Sequence, residues 1–198
     1  MEINGFQLFP TALGADAQAS LAALVMAAAD TAPFYRPATP GGKAMSVLQT
    51  SFGPLGWITD RGGYRYEPAH PQTGAQWPKM PDELLEIWRR TAPGAPEPDS
   101  CLINLYREGA KMGLHQDADE LDLSAPVISI SLGDTAVFRL GGAARSDPTR
   151  TVRLSSGDVC VLGGAARGFY HGVDRILAGS SRLIPGGGRL NLTMRRAR

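Results

Sequence analysis

The sequence predicts a mainly β (α+β) fold, in which short strands form a barrel or sandwich after a helix-containing N-terminal region. From residue 100 onward, short apolar runs recur between turn signals, and helical periodicity is confined to two earlier segments. At 198 residues and 43% hydrophobic composition, the chain is long enough for one sizeable core and short for two. We therefore expect a single domain over residues 1–198.

Two helices are predicted in the N-terminal half. The first, from about Asp16 to Ala29, is rich in alanine and apolar on one side. The second runs from Pro81 to about Arg90, and its proline is followed by two acidic residues, a pattern typical of a helix start. Residues 31–80 hold many glycines, prolines and aromatic residues, which predict ordered loops or hairpins. A proline-rich connector, residues 91–99, leads into the strand region.

Six strands are predicted after the connector. They are the apolar or alternating runs Cys101–Tyr106, Val127–Leu132, Ala136–Leu140, Thr151–Leu154, Asp158–Leu162 and Arg189–Arg195. Many short strands without a long helix are typical of an all-β barrel or sandwich.

Charge is distributed unevenly along the chain. The net charge of +1 argues against an obligate, strongly basic nucleic-acid binder. However, eleven arginines and no lysine stand against three aspartates from residue 139 to the C-terminus. This asymmetry favours a polyanionic partner, unless folding interleaves the two halves.

No run of the sequence is long and apolar enough to cross a bilayer, and the N-terminus lacks the basic start of a secretory signal. Cys101 and Cys160 both lie in apolar, strand-like runs. They are expected to be buried, reduced thiols of a cytoplasmic protein, although the sequence also permits a disulfide between them.

Three residues form a candidate iron site. His115 and Asp117 are two positions apart, so on an extended segment both side chains leave the same face and can bind one ion. His171 is the candidate third ligand, and the chain has only three histidines. Two imidazoles and one carboxylate with open coordination positions suit non-haem Fe(II) oxygenases rather than structural zinc. The alternative is a solvated loop pair, which is how most such pairs occur.

The last predicted strand has two different faces. Its polar residues alternate with apolar ones: Arg189, Asn191, Thr193 and Arg195 are separated by Leu190, Leu192 and Met194. A face with two guanidiniums and an amide suits a dianionic ligand, because arginine binds carboxylates bidentately. The alternative is a half-exposed edge strand with solvated arginines.

Several ordered motifs resemble the AlkB family of Fe(II)- and 2-oxoglutarate-dependent nucleic-acid demethylases over roughly residues 45–196. They are Asn104-x-Tyr106, His115-Gln116-Asp117-x-Asp119-Glu120, the run Ala125–Gly133, Ser156-Gly157-Asp158-Val159, Tyr170-His171-Gly172 and Arg189-x-Asn191-Leu192-Thr193-x-Arg195. The similarity is greatest to the bacterial branch, through Leu55-Gly56-Trp57, Tyr64, Pro71-Gln72-Thr73 and Trp77-Pro78.

The resemblance implies a double-stranded β-helix, or jelly-roll, core over about residues 100–198. Helices and a nucleotide-recognition lid would occupy about residues 1–99. It implies His115, Asp117 and His171 as the iron ligands and catalytic centre. It also implies a set of 2-oxoglutarate-binding residues: Arg189 and Tyr106 at the distal carboxylate, and Arg195, Asn104 and Asn191 at the metal-binding end.

For the substrate, the resemblance implies that Trp57 stacks on a flipped base and Tyr64 contacts a backbone phosphate. Asp119 would lie near the exocyclic amine of the base, and Arg145 at the pocket rim. Without the resemblance, these four would be interpreted as core aromatics and solvated loop charges. Two positions depart from relatives: Ala118, beside Asp117, and Gln49, in a lid segment that is often apolar.

The implied reaction is oxidative demethylation of 1-methyladenine and 3-methylcytosine in DNA, with RNA as a second candidate. It consumes O2 and 2-oxoglutarate and releases formaldehyde, succinate and CO2. The base must be flipped out or lie in a single strand. A monomer without a membrane or an obligate protein partner is expected. The alternatives are a 2-oxoglutarate oxygenase acting on a protein or small molecule, and a non-catalytic nucleic-acid binding jelly roll.

Overall fold

The structure is a computed structural model that describes residues 1–198. Its two α-helices, α1 (Ala15–Ala28) and α2 (Asp82–Thr91), each lie within one residue of the predicted segments. Neither has the length and apolar character needed to cross a membrane. A short 3-10 helix spans Gly164–Gly168.

Thirteen β-strands account for most of the remaining regular structure. In chain order they are β1 (Glu2–Ile3), β2 (Phe6–Phe9), β3 (Leu48–Phe52), β4 (Gly56–Asp60), β5 (Gly63–Glu67), β6 (Ser100–Tyr106), β7 (Met112–His115), β8 (Val127–Gly133), β9 (Thr135–Leu140), β10 (Arg150–Leu154), β11 (Val159–Leu162), β12 (His171–Leu177) and β13 (Arg189–Arg195).

The strands form two main antiparallel sheets and one hairpin. The major sheet has seven strands in the order β1-β2-β11-β8-β13-β6-β3, and the minor sheet has four in the order β10-β9-β12-β7. Strands β4 and β5 form a separate hairpin, which we call the lid. The predicted mainly β, jelly-roll architecture is confirmed.

All six predicted strands are present, but sequence patterns missed others. Strand β12 carries glycine and two charged residues and contains a register shift between Val173 and Arg175, which breaks the period-two pattern. Strand β7 is four residues long and includes a glycine. Short or bulged strands give little periodic signal, so β7 and β12, which carry the two metal-site histidines, were the hardest to detect.

Besides the helices and the lid, the N-terminal region contributes strands to the major sheet. Strands β1, β2 and β3 join the major sheet, with β2 paired to β11 and β3 paired to β6. These strands add to the helices and lid that were expected in about residues 1–99. The expected lid position of Gln49 is corrected, because Gln49 lies in β3 opposite Asn104.

The two faces of the major sheet have different partners. Its outer face packs under both helices, where Leu84 and Trp88 of α2 meet Ile103, Ile130 and Leu192 in an apolar cluster. Its inner face carries a transverse row of polar side chains, in which successive cross-strand partners are Gln49, Asn104, Asn191 and Ser131. The outer apolar face anchors the helices, and the inner polar face is free to build a site.

A second apolar cluster fills the space between the two sheets and includes Phe6, Phe138, Leu140 and Leu162. Cys160 belongs to this cluster, whereas Cys101 belongs to the cluster under the helices. Both cysteines are buried and unpaired. The prediction that both are buried is confirmed, and because the two side chains lie on opposite faces of the sheet no disulfide joins them.

The third histidine has a structural role at the base of the lid. His70 is 1% exposed. Its Nε2 donates to the carbonyl of Pro33 at 2.8 Å, and its Nδ1 accepts from the backbone N–H groups of Gln72 and Thr73, each at 3.2 Å. Its ring also lies 5.2 Å from that of Trp77. His70 therefore fixes the loop below the lid and is not a candidate metal ligand.

Candidate active site

The three predicted metal ligands converge at one end of the minor sheet. His115 ends β7 and is the cross-strand partner of His171 at the start of β12, with ring centroids 4.5 Å apart. Asp117 lies 3.9 Å from Nε2 of His115 and 3.7 Å from Nε2 of His171, each measured to a carboxylate oxygen. The ligand atoms of all three residues lie within 4.8 Å of one another.

Backbone hydrogen bonds fix the orientation of both imidazoles. Nδ1 of His115 donates to the carbonyl of Gly113 at 2.9 Å, and Nδ1 of His171 donates to that of Phe169 at 3.1 Å. A carbonyl oxygen only accepts, so Nδ1 carries the proton in each ring. Nε2 of both rings is therefore left with its lone pair toward Asp117, which is the tautomer that a metal ion requires.

Glycine after His171 allows the two histidine strands to approach. A Cβ on Gly172 would lie 2.7 Å from the carbonyl oxygen of Met112 and 2.9 Å from that of Gly113. Any larger residue would push β7 away from β12. Because Gly113 also accepts the His115 hydrogen bond, this displacement would disturb the ligand geometry directly.

Buried charges hold Asp117 ionised. Burial alone raises the pKa of Asp117, but Arg195 and the two histidines outweigh it and hold the pKa well below its usual range. Arg195 donates from NH2 to Asp117 at 2.9 Å. Burial and the neighbouring His115 lower the pKa of His171 to about 4. Near neutral pH, the site therefore presents one carboxylate and a neutral His171, the forms that bind a cation.

A cavity of about 260 Å³ opens beside the triad. Ten of the predicted site residues line it: Trp57, Tyr64, Asn104, Tyr106, His115, Asp117, Asp119, His171, Asn191 and Arg195. Side chains from the lid, the major sheet and the minor sheet thus share one space. The structure brings together nearly the whole candidate site, although its residues are spread over much of the chain.

Arg189 is fully buried and is not part of the cavity wall. Its guanidinium lies 5.4 Å from the centre of the Tyr106 ring, which does line the cavity. NH2 of Arg189 donates to Ser131 at 2.9 Å, whereas Nε and NH1 have no partner. Burial lowers the pKa of this guanidinium.

Unpaired buried donors fit an acidic cosubstrate. NH1 of Arg195 also lacks a partner, so both arginines of β13 retain buried N–H groups without an acceptor. Such groups are costly unless a ligand satisfies them, and arginine donors match carboxylate oxygens. The residues present therefore fit a ligand with two carboxylates, such as 2-oxoglutarate, beside a metal ion.

The lid contributes an aromatic pair at the cavity. The rings of Trp57 and Tyr64 are stacked, with centroids 5.6 Å apart and an interplanar angle of 16°. Nε1 of Trp57 donates to Asp119 at 2.8 Å, so the lid is hydrogen-bonded to the segment that follows the metal ligands. Arg145 is not brought into the cavity. It is exposed, and its guanidinium lies 6.0 Å from the ring centre of Tyr170.

Sequence reasoning missed a buried network centred on Glu120. This carboxylate accepts from Tyr66 of the lid and from NH2 of Arg167 at 2.8 Å, and Nε of Arg195 lies 3.3 Å away. Arg195 in turn contacts Asp117. The lid is thus connected to the metal site through three buried charges. Glu120 stands in an acidic, polar stretch that resembles a solvated loop, and its place at the end of the His115–Glu120 motif was the sequence signal available.

Together the jelly roll, the His-Asp-His triad and the unpaired arginine donors define a non-haem iron oxygenase that takes 2-oxoglutarate. A model of the 2OG-Fe(II) oxygenase superfamily matches residues 5–195. The chain is 60% identical to an alpha-ketoglutarate-dependent dioxygenase AlkB homolog of Caulobacter vibrioides, with 99% of this chain and 89% of the relative covered. The chain belongs to the AlkB family of the 2OG-Fe(II) oxygenase superfamily.

Two further comparisons agree. The alpha-ketoglutarate-dependent dioxygenase AlkB of Escherichia coli is 49% identical, with 85% of this chain and 80% of the relative covered. The solved structure of OsALKBH1 matches with a TM-score of 0.81 and 32% identity, covering 99% of this chain and 98% of that one. The protein is an Fe(II)- and 2-oxoglutarate-dependent dioxygenase, as the sequence predicted.

Proposed function

We propose that the protein demethylates N-alkylated bases, in particular 1-methyladenine and 3-methylcytosine, in DNA, with RNA as a second candidate. The observation that carries the proposal is the stacked pair Trp57 and Tyr64, which lines the same cavity as the metal triad and is hydrogen-bonded to Asp119. A flat, cationic base can stack on this aromatic surface with the Asp119 carboxylate near its edge. Relatives named DNA N(6)-methyladenine demethylase and nucleic acid dioxygenase support a nucleic-acid substrate.

The lid supplies base recognition. Stacking of a base on an indole contributes about 1–3 kcal/mol. Tyr64 is 51% exposed at the same position, where it is accessible to the phosphate that adjoins the flipped base. Asp119 is exposed as well and adds negative charge for an alkylated, positively charged ring. The base must be unstacked or single-stranded to enter the cavity.

The major and minor sheets supply binding of the metal and cosubstrate. We assign His115, Asp117 and His171 as the iron ligands, and Arg189, Tyr106, Arg195, Asn104 and Asn191 as the 2-oxoglutarate-binding residues. When bound, iron would supply, with O2 and 2-oxoglutarate, the oxidation of the N-methyl carbon that would yield formaldehyde, the unmodified base, succinate and CO2. The protein holds the methyl group near the metal and excludes water from the enclosed site.

Residues 1–198 are proposed to form one catalytic domain that acts as a monomer. The contribution of β1, β2 and β3 to the major sheet supports this, since removing them would expose its edges. A cytoplasmic location is part of the same proposal. The buried, unpaired Cys101 and Cys160 are compatible with a reducing compartment.

A direct assay tests the proposal. The protein, loaded with Fe(II) without O2, is supplied with O2, 2-oxoglutarate and a single-stranded oligonucleotide that carries 1-methyladenine. Mass spectrometry should show loss of one CH2 group from the oligonucleotide, with a matching amount of succinate. The Asp117→Ala variant should do neither while keeping its circular dichroism spectrum. Succinate without loss of the methyl group would leave a 2-oxoglutarate oxygenase with a protein or small-molecule substrate.

A further inference from the structure

The outer face of the minor sheet carries a group of arginines. Side chains alternate along β9, and Phe138 points inward because it lines the cavity. Val137 and Arg139 therefore point outward. Val137 is the cross-strand partner of Arg153 on β10 and of Arg175 on β12, and directly opposite residues share a face.

This arginine face, defined by Arg139, Arg153 and Arg175, is compact. Arg153 and Arg175 flank Val137 one strand away on either side, so their backbones are about 10 Å apart. Arg139 lies two residues further along β9, about 7 Å from Val137. Val137 is only 6% exposed but lies outside all three apolar clusters. Its cross-strand neighbours on this face are Arg153 and Arg175.

The face has few partners within the protein. Arg153 is exposed and takes part in no ion pair. Arg139 is half-buried, and its Nε is buried without a hydrogen-bond partner. Arg175 pairs at 2.8 Å with its neighbour Asp174, whose side chain is 41% exposed. Both helices pack on the other sheet, so neither covers these arginines.

We propose that the arginine face binds the phosphodiester backbone of the substrate strand outside the cavity. The inference rests on the proposed function in taking nucleic acid as the substrate. Three guanidiniums against one carboxylate favour a polyanion, and arginine binds phosphate oxygens in a bidentate manner. The three side chains that define the face end in guanidiniums, which offer contacts to phosphates rather than to bases.

The position of the arginine face suits a nucleic acid that continues beyond the cavity. His171 of β12 points to the metal site, whereas Arg175, on the same strand, points to the opposite side of the sheet. A nucleic acid that leaves the cavity and passes over the sheet edge reaches these arginines. The arginine-rich C-terminal part of the sequence, which alone indicated only a polyanionic partner, thus contributes a localised positive surface.

The salt dependence of binding tests the proposal. The triple variant Arg139→Gln, Arg153→Gln, Arg175→Gln is compared with the wild type for binding of an unmodified single-stranded 20-mer, by fluorescence anisotropy over a range of salt. Loss of three phosphate contacts should reduce the slope of log K against log[salt] by about 2. A charge-matched control, Lys79→Gln, Arg89→Gln, Arg90→Gln, on the helical side of the molecule should keep the wild-type slope. The corresponding Arg→Lys triple variant should keep it too.

Turnover separates this inference from the proposed function. The Arg→Gln triple variant should lose activity on a methylated 20-mer but demethylate the 5′-monophosphate of 1-methyldeoxyadenosine at the wild-type kcat/KM, since one nucleotide cannot reach both sites.

An unchanged salt slope in this variant would overturn the inference, even if demethylation is intact. So would equal loss in the control variant, or DNA binding that is unchanged while binding to anionic lipid vesicles is lost. If the wild type demethylates neither substrate, the proposed function fails, whereas the anisotropy result still decides the role of the face.

Discussion

Gln49 donates a hydrogen bond from Nε2 to Oδ1 of Asn104 at 2.8 Å, across the neighbouring strands β3 and β6. An amide nitrogen can only donate, so Gln49 turns the oxygen of Asn104 toward itself and leaves Nδ2 of Asn104 as the donor for the cavity. Gln49 is 1% exposed, and its own Oε1 has no partner. Gln49 is thereby a positioning residue for Asn104, which is predicted to bind 2-oxoglutarate.

Replacing Gln49 tests this relationship. In Gln49→Leu, Asn104 can rotate its amide, and loss of one hydrogen bond of about 1.4 kcal/mol corresponds to a roughly tenfold higher KM for 2-oxoglutarate. The value of kcat should change less, because the metal ligands are untouched. Steady-state succinate formation gives both constants. Gln7→Leu, at an exposed position of β2, is the matched control. An unchanged KM in Gln49→Leu would remove the positioning role.

The Glu120 network makes a prediction about stability. Glu120→Ala leaves the buried guanidiniums of Arg167 and Arg195 without their shared carboxylate and Tyr66 without its acceptor. Removing one partner of a buried charge pair typically costs about 3–5 kcal/mol. Urea denaturation should show a loss of this size, whereas Glu67→Ala, which removes only a partly exposed pair with Arg65, should cost less than about 1 kcal/mol. Comparable losses in the two variants would contradict the proposed importance of the network.

The lowered pKa of His171 predicts that acid destabilises the metal-free protein. Burial and His115 lower the pKa of His171 to about 4, below its ordinary value of 6.5. In the unfolded chain His171 is protonated below about pH 6.5, whereas in the folded protein it is protonated only below about pH 4. Lowering the pH from 6.5 to 4 therefore favours unfolding. The expected loss of unfolding free energy is about 3 kcal/mol.

Denaturation of the metal-free wild type and of His171→Asn at pH 7 and pH 4 checks this expectation. The wild type should lose about 3 kcal/mol more than the variant between the two pH values. The comparison cancels the titration of the carboxylates, which both proteins share. The same pH dependence in both would show that the His171 pKa is not depressed in the folded protein.

Trp57 separates base binding from oxidation. Trp57→Ala should impair demethylation of the oligonucleotide by roughly 5- to 150-fold, the range that corresponds to loss of one base stack. Decarboxylation of 2-oxoglutarate without nucleic acid should change little, because Trp57 is not a predicted ligand of the cosubstrate. Trp57→Phe keeps a ring but removes the hydrogen bond to Asp119, so it distinguishes stacking from lid closure. Equal losses in the two assays would exclude the stacking role.

Local pattern was enough for part of the site. The spacing of His115 and Asp117 indicated a shared ion, and the alternation along Arg189–Arg195 indicated a polar strand face. Both features depend on neighbours in sequence, because an extended backbone fixes which side chains lie on the same side. In the structure the three residues of the triad lie together, and β13 has the predicted bounds.

Side-chain contacts between distant segments could not be predicted from local sequence patterns. The contacts of Glu120 with Tyr66, Arg167 and Arg195 join distant segments, and a buried charge has the same local sequence as a solvated one. Arg145, for which the resemblance implied a place at the pocket rim, is exposed, and its guanidinium lies 6.0 Å from the ring centre of Tyr170. In each case the partners are chosen by how the sheets pack, which no short window of sequence contains.

The sequence by itself determined the fold class, the two helices, six of the strands and the candidate metal ligands, because these depend on periodicity and on residue types at fixed spacing. The family followed from the resemblance of its ordered motifs. Only the tertiary structure decided that β3 joins the major sheet, that Gln49 orients Asn104, that Glu120 connects the lid to Asp117 through Arg195, and that three arginines share one outer face. The register between strands, set by burial of whole faces, brings these residues together.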